Sequence, residues 1–246
     1  MEKFSLYHFL GLLLPGVLFL YFFNLIINLF GINLYSIHSV NLEKDIIILL
    51  CFALIIGAIL YTSNFYLVNK TKWFNRFFGM YNHVADLYLN MENLHCLMNN
   101  VLNKKAMEWY EKNLFFNQTD FYKLSVSEQN EIKKLQDEYY DRIYYELEYH
   151  GKNEQSKAFQ SFYFFFRQTV LCCVLLLLID ILLFLYFLFV WIALDAPFLF
   201  NFKILWITFT LLLLLIVSVL LARWYRKRMV KKIYWAYFTH LQLTAN

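Results

Sequence analysis

Four long apolar segments constrain this chain more than any other feature of its sequence. They run from about residue 4 to 30, 46 to 68, 168 to 194 and 204 to 222. A helix that crosses a bilayer needs about 20 mainly apolar residues, and all four segments reach or approach that length. Backbone groups in lipid must form hydrogen bonds within the protein, and the segments lack the alternation of barrel strands, so they predict helices. The expected fold class is an all-α polytopic membrane protein with four transmembrane helices.

The composition supports this fold class. Hydrophobic residues make up 61% of the 246-residue chain and charged residues only 16%, whereas an average soluble domain is about half apolar and a quarter charged. Two Pro and six Gly leave little sequence for turns, so helix is also expected between the spans. These figures exclude a soluble globular enzyme, a disulfide-built secreted module and a disordered tail protein.

Lysine and arginine are concentrated on one side of the predicted spans. The two short loops contain only Lys44 and Lys203. The basic residues flanking the other ends of the spans are Lys70, Lys72, Arg76, Lys157, Arg167, Arg223, Arg226, Lys227, Arg228, Lys231 and Lys232. Because basic residues favour the cytoplasmic side, both termini and the middle region are expected in the cytoplasm.

These features divide the chain into four regions. Residues 1–68 form a first transmembrane hairpin, residues 69–166 a cytosolic helical domain, residues 167–222 a second hairpin, and residues 223–246 a basic, aromatic cytosolic tail. The middle region carries nearly equal numbers of acidic and basic residues, so nucleic acid is not expected as a partner. Its wide apolar helix faces favour either a helical bundle or pairing with other subunits.

Helix signals are clear in the second half of the middle region. Ser125 and Glu128 form a possible capping box, in which each side chain bonds the other residue's free amide. Gly151 predicts the end of that helix. Another helix is expected to begin near Asn153 or Ser156 and to run unbroken into the third span. The apolar face of the first of these helices is marked by Ile132, Leu135, Tyr139, Ile143 and Leu147.

Asp180 is the most informative single residue, because it interrupts an apolar run near the middle of the third span. A charge at that depth costs about 2.5–3.5 kcal/mol on insertion scales. The carboxyl group either lines a pore, binds a cation or relays a proton, or it only forms a hydrogen bond between helices. Its candidate polar partners in the other spans are Asn24, Asn28, Thr208, Thr210 and Ser218.

Pro15 and Gly16 interrupt the first span. Proline removes one backbone hydrogen bond and kinks a helix, and the glycine loosens it further. The pair is either a hinge at a broken helix or a static kink that aids packing.

The tail begins with a polybasic, aromatic run. Next to a membrane, each basic residue adds about 1 kcal/mol of attraction to anionic lipid, and Trp and Tyr prefer the interface. We expect a lipid-surface helix that extends the fourth span, with RNA binding as the alternative. The basic residues concerned are Arg223, Arg226, Lys227, Arg228, Lys231 and Lys232.

Two further patterns suggest a nucleotide or RNA contact. Arg76 and His83 match the Arg-x6-His form of the spacing that HEPN-type ribonucleases place around a scissile phosphate. Arg142 lies among closely spaced tyrosines, whose rings could stack on a base while the guanidinium meets a phosphate. The alternatives are a chance match and a packed aromatic face.

No cofactor or metal is expected. The four cysteines, Cys51, Cys96, Cys172 and Cys173, contain no CxxC pair. Cys172 and Cys173 are either acylation sites or small core residues. The chain also has no Gly-rich phosphate loop, HExxH or nucleophile elbow. We therefore expect no enzyme, with a ribonuclease acting through Arg76 and His83 as the alternative.

The chain resembles small multi-pass membrane accessory or effector proteins of prokaryotic anti-phage systems in three respects. These are its layout, its abundance of residues with AT-rich codons, and the Arg76/His83 spacing. The membrane accessory proteins of type VI-B CRISPR loci are one such group. Some of them carry HEPN-like Arg/His remnants and some are proposed pores. The resemblance implies a role in arresting infected cells.

The function expected from these observations is that of a regulated membrane effector, a homo-oligomer that forms a pore or perturbs the bilayer. Four spans enclose little by themselves, so a pore would need several subunits. The main alternative is a membrane-anchored scaffold whose cytosolic helices bind a partner protein. A transporter would need more polar groups at the midplane than the spans provide.

Overall fold

The computed structural model describes residues 9–31, 42–71, 74, 123–194 and 202–244, and every regular element in these ranges is helical. This confirms the all-α fold class for the described residues. A π-helical turn, Phe9–Leu13, precedes the first helix. The helices are α1 (Leu14–Leu29), α2 (Leu42–Lys70), α3 (Val126–Tyr149), α4 (Glu154–Leu194) and α5 (Phe202–Thr244).

Four helical segments are long and apolar enough to cross a membrane, as the sequence predicts. They cover Phe9–Leu29, Ile46–Val68, Glu154–Ala193 and Phe202–Tyr237. The last two extend well beyond the predicted spans, because α4 and α5 contain no Pro or Gly that would end the helix where the apolar run ends. The prediction of one unbroken helix from near Asn153 through the third span is confirmed.

The outer surface of these helices is apolar. Large side chains such as Ile47, Phe189 and Trp206 are 63%, 67% and 72% exposed. Isolated exposed apolar residues are ordinary on any protein, but faces built from them along four long helices are unusual on a water-facing surface. Lipid is the solvent that suits such faces.

The chain divides into two compact units. Unit 1 comprises Met1–Phe74 and Gln160–Trp224, and unit 2 comprises Asn75–Phe159 and Tyr225–Asn246. Most of the predicted tail, residues 223–246, therefore belongs to the same unit as most of the predicted middle domain.

Unit 1 has one apolar core to which all four spans contribute. Its buried members are Ile26, Phe30, Leu60, Leu171, Cys172, Cys173, Leu176, Ile204 and Leu211. The rings of Phe30 and Phe187 stack in the same region, with centroids 5.3 Å apart. Cys172 and Cys173 are thus small core residues, and the structure gives no support to acylation at these buried thiols.

Unit 2 is held by the packing of α3 with the C-terminal part of α5. Tyr140, Ile143 and Leu147 are the buried residues of α3. The buried apolar residues of α5 in this unit are Met229, Val230, Ile233, Tyr234 and Tyr237. The rings of Tyr140 and Tyr234 lie 6.2 Å apart.

The predicted apolar face of α3 is correct at Ile143 and Leu147 but not at Leu135, which is 49% exposed. Leu135 stands eight residues before Ile143, which places it about 80° around the helix from that residue. Tyr140 occupies the buried stripe in addition. The side chain of Tyr139 lies outside the described part of the helix.

The predicted ends of α3 are confirmed. The Ser125 hydroxyl accepts from the backbone N–H of Glu128, and the Glu128 carboxylate accepts from the Ser125 amide at 2.8 Å. The Ser125 hydroxyl and amide both lower the pKa of the Glu128 carboxyl. After the helix, Gly151 has φ +64°, a left-handed conformation that favours glycine and stops the helix.

Candidate functional site

One buried carboxyl group lies at mid-span among the described residues of unit 1. Asp180 lies on α4 and is only 5% exposed, although its neighbours Ile181 and Leu182 face outward at 52% and 64%. Thr208 on α5 donates a hydrogen bond from Oγ1 to Asp180 Oδ2 at 2.6 Å. The two spans are therefore joined by a short polar contact in the middle of an apolar helical pair.

Two acceptors compete for the single proton of the Thr208 hydroxyl. Its Oγ1 also donates to the carbonyl oxygen of Ile204, one turn earlier, at 2.9 Å. A threonine hydroxyl carries a single proton, so it must share that proton between the two acceptors. A proton on the Asp180 carboxyl would remove the competition, because the carboxyl could then donate to Thr208 while Thr208 donates to Ile204.

Among the described residues, none of the other predicted partners forms a hydrogen bond with Asp180. Asn28 Nδ2 donates to Asn24 Oδ1 at 3.3 Å, so the two asparagines bond each other along one face of α1. Thr210 Oγ1 donates to the carbonyl of Trp206 in its own helix. Ser218 is fully buried, and its hydroxyl has no hydrogen-bond partner among the described residues. The sequence thus predicts the correct partner, Thr208, within a set that is too broad.

Pro15 and Gly16 form part of a tight helix crossing. Both are buried. A Cβ atom added to Gly16 would stand 1.8 Å from the carbonyl oxygen of Ala53 on α2, a distance that no atom can occupy. The π-helical turn Phe9–Leu13 comes just before Pro15, whose ring would clash with the carbonyl of Gly11 in a regular helix. This geometry favours the static kink over the hinge.

The other half of this crossing was not predicted from the sequence. A Cβ on Gly57 of α2 would stand 1.9 Å from the carbonyl oxygen of Leu12. Ala53 and Gly57 are four residues apart, which is the small-xxx-small spacing that lets membrane helices approach closely. This spacing could have predicted the close approach from the sequence.

The basic residues of the tail lie on α5. Arg226 contacts the aromatic core of unit 2, with Cζ 5.8 Å from the centroid of the Tyr140 ring. Burial raises the pKa of Tyr140 to about 12, although the positive charge of Arg226 opposes that rise.

The other basic residues of the tail differ in exposure. Lys232 Nζ donates to Gln155 Oε1 at 3.4 Å. Of the six, Arg228 and Lys232 are exposed, and Arg223, Lys227 and Lys231 are partly exposed along with Arg226. Lipid binding by this helix stays a prediction.

Of the three residues predicted as possible nucleotide contacts, the structure describes only one. Arg142 is exposed on α3. Arg76 and His83 lie outside the described residues, so the ribonuclease alternative stays untested.

A histidine cluster in unit 2 was not predicted. Lys152 Nζ lies 2.8 Å from His240 Nδ1, and His240 Nε2 lies 4.0 Å from a Glu146 carboxylate oxygen. The ring of His150 is 4.6 Å from that of His240. Burial lowers the pKa of His240, and the nearby charges of Lys152 and His150 lower it further while Glu146 opposes them. The partners of His240 are about ninety residues away in sequence, so no local pattern could reveal them.

A second buried polar group was also missed. Arg167 on α4 is 5% exposed, and Asn64 of α2, fully buried, donates from Nδ2 to its carbonyl oxygen at 2.7 Å. The guanidinium lies against Phe164, with Cζ 4.7 Å from the ring centroid. Arg167 is one of the basic residues used above to orient the spans, and its burial was not predicted.

Within the described ranges of the chain, no group of three or more His, Cys, Asp or Glu side chains could hold a metal ion. Comparison of the chain with protein-family models, curated proteins and solved structures found no match.

Proposed function

We propose that this protein is a membrane effector whose homo-oligomer opens a path across the bilayer and that Asp180 lies at the point of control. The observation that carries the proposal is the buried carboxyl at mid-span, bonded to Thr208 of the neighbouring span. An ionisable side chain at that depth has an energetic cost that an inert anchor has no reason to bear. Ionisable residues in spans commonly mark ion paths or proton relays.

In this proposal the contact between Asp180 and Thr208 holds α4 and α5 in a closed arrangement. Since the shared proton of Thr208 also serves Ile204, the contact is easily weakened. Opening would break it and turn the carboxyl toward a path between subunits. The path needs several copies, because the described core of unit 1 is filled by apolar side chains.

The proposed setting is antiviral defence in a prokaryotic inner membrane, with both termini cytoplasmic. Support comes from the resemblance in layout to anti-phage accessory proteins and from the Lys/Arg distribution. Infection of cells that express the wild-type chain tests this setting. Growth arrest and reduced phage yield are expected, and both should be lost with Asp180→Leu; equal phage yield with and without the wild-type chain would refute the setting.

The alternative function is a membrane-anchored scaffold. It is favoured by exposed apolar and aromatic side chains on α3, where Val126, Tyr145 and Tyr149 are 75%, 67% and 88% exposed. Surfaces of this kind fit a protein partner.

Light scattering on the detergent-solubilised chain separates the two functions, once the detergent mass is subtracted. A closed ring of several subunits is expected for the pore. A monomer or simple dimer would contradict the subunit-lined path and leave the scaffold as the better account.

A further inference from the structure

Arg167 presents an unsolved problem of hydrogen bonding within unit 1. The side chain is 95% buried, yet its Nε and Nη2 have no hydrogen-bond partner among the described residues. Buried polar groups in native proteins are almost always paired, and a buried charge without a counter-charge is costly. An arginine in this state indicates that something other than the described chain completes its contacts.

The aromatic neighbours satisfy only the faces of the guanidinium. Cζ of Arg167 is 4.7 Å from the Phe164 centroid and 5.5 Å from the Tyr163 centroid. Such rings attract the cation through its flat face. The N–H groups lie in the plane of the guanidinium, so Nε and Nη2 form a two-pronged donor that is buried and has no acceptor among the described residues.

The position of this donor along α4 is defined by the same two rings. Tyr163 and Phe164 stand four and three residues before Arg167, so the side chain runs back about one turn toward the start of α4. Asn64, which bonds the Arg167 carbonyl, lies one turn before Val68 at the end of the second span. Both observations place the guanidinium at the end of the spans that carries the basic residues.

Lipid phosphates lie at the ends of membrane spans, this one included. A long basic side chain near the end of a span commonly extends toward the head groups. A guanidinium fork matches the oxygen pair of a phosphate better than an ammonium does, because it can donate two parallel hydrogen bonds. Asn64 fixes the backbone at this position, because its Nδ2 donates to the Arg167 carbonyl oxygen; its Oδ1 is an acceptor and does not contribute to binding an oxyanion. Gln168 faces about 100° away from Arg167 around α4 and is not included.

We infer that Arg167, supported by Asn64, forms a phosphate-binding site between α2 and α4 of unit 1. The ligand is a phosphate oxyanion, supplied by an anionic lipid head group or by free phosphate. This inference does not depend on the pore proposed above, because a scaffold would bind the same ligand.

The test uses the full-length chain, purified in a neutral detergent, and two variants. Arg167→Gln removes the fork, and Lys70→Gln is the matched control, since it removes one positive charge at an exposed position near the same end of the spans. The probes are phosphatidylglycerol, phosphatidylcholine and inorganic phosphate. The thermal unfolding midpoint and the lipid retained in native mass spectrometry are measured with each.

We expect phosphatidylglycerol to raise the unfolding midpoint of the wild type and of Lys70→Gln and to be retained several-fold more than phosphatidylcholine. Arg167→Gln should lose both effects. A rise with inorganic phosphate alone would identify free phosphate as the ligand. No rise with any phosphate, or equal loss in the two variants, would overturn the site. If Arg167→Gln does not fold, Arg167→Lys keeps the charge without the fork, and undiminished binding by that variant would also overturn it.

Discussion

Unit 1 and unit 2 are stabilised by different kinds of contact. Unit 1 combines a backbone-close crossing at Gly16 and Gly57 with polar contacts between helices at Asp180 and Asn64, and it leaves large apolar faces exposed. Unit 2 buries its apolar side chains between α3 and α5 and adds charged contacts, such as Lys157 Nζ to a Glu148 carboxylate at 2.7 Å.

The difference follows from the solvent that each unit suits. Lipid tails are as apolar as leucine, so burying an apolar side chain between membrane helices provides little driving force, and close packing and hydrogen bonds decide the pairing. In water, burial of apolar surface is the main stabilising contribution. The same substitution should therefore have different consequences in the two units.

The largest effect is expected at the glycine crossing. Gly16→Ala and Gly57→Ala each place a methyl group inside a backbone carbonyl of the partner segment, so we expect a loss of about 3 kcal/mol or of the folded α1–α2 pair altogether. Gly11→Ala is the matched control, because a Cβ there meets nothing within 4 Å. Thermal unfolding in detergent measures all three. Equal behaviour of Gly11→Ala and Gly57→Ala would contradict the crossing.

Truncation of a leucine compares the two units directly. Leu147→Ala removes a fully buried side chain from unit 2 and should cost about 3 kcal/mol. Leu182→Ala removes a side chain that is 64% exposed in unit 1, and we expect almost no change. Denaturant titration followed by hydrogen exchange in each unit reports both. A large cost at Leu182 would show that the apolar face of α4 is buried against protein instead of lipid.

Acid should weaken unit 2 through His240. Because the folded environment holds the pKa of His240 below its ordinary value of 6.5, the unfolded chain takes up a proton first as the pH falls. The contribution of His240 to the free energy of unfolding is therefore constant above about pH 6.5 and decreases below that pH. Hydrogen exchange of unit 2 peptides between pH 7.5 and pH 5.5 should show the loss. His240→Gln should flatten that pH dependence, and a dependence that persists unchanged would assign it to another group.

The smallest effect concerns the start of α3. Ser125→Ala removes the capping hydroxyl and should cost about 1 kcal/mol. Ser127→Ala is the comparison variant: it removes the 3.0 Å contact between the Ser127 and Ser125 hydroxyls but leaves the Ser125 hydroxyl that accepts from the Glu128 N–H, so its loss should be clearly smaller. Helix content by circular dichroism, with hydrogen exchange at residues 126–130, should distinguish them. Identical protection in both variants would contradict the capping role.

Much of the fold could be predicted because its signals are local. The four apolar segments, the Ser125–Glu128 cap and the stop at Gly151 are each readable within a few residues. Thr208 was included among the partners of Asp180 because polar side chains in lipid must find one another. The unbroken course of α4 could be predicted because no Pro or Gly interrupts this part of the sequence.

The missed features depend on how helices face each other. The contact of Gly57 with Leu12 requires the crossing point of two helices, and the contact of Lys152 with His240 joins positions far apart in sequence. The burial of Arg167 was missed because basic residues at span ends are usually assigned to the surface. Periodicity identifies a buried face but not the residue that it meets.

We propose that the bond between Asp180 and Thr208 controls permeability. Ion efflux from sealed vesicles that contain the purified chain tests it most directly, with Thr208→Val, Asp180→Leu and the matched control Thr210→Val, whose hydroxyl bonds only its own helix. We expect efflux several-fold faster than wild type for Thr208→Val, efflux near that of empty vesicles for Asp180→Leu, and no change for Thr210→Val. Equal efflux from all four proteins would contradict the claim and reduce the Asp180 carboxyl to a structural contact between α4 and α5.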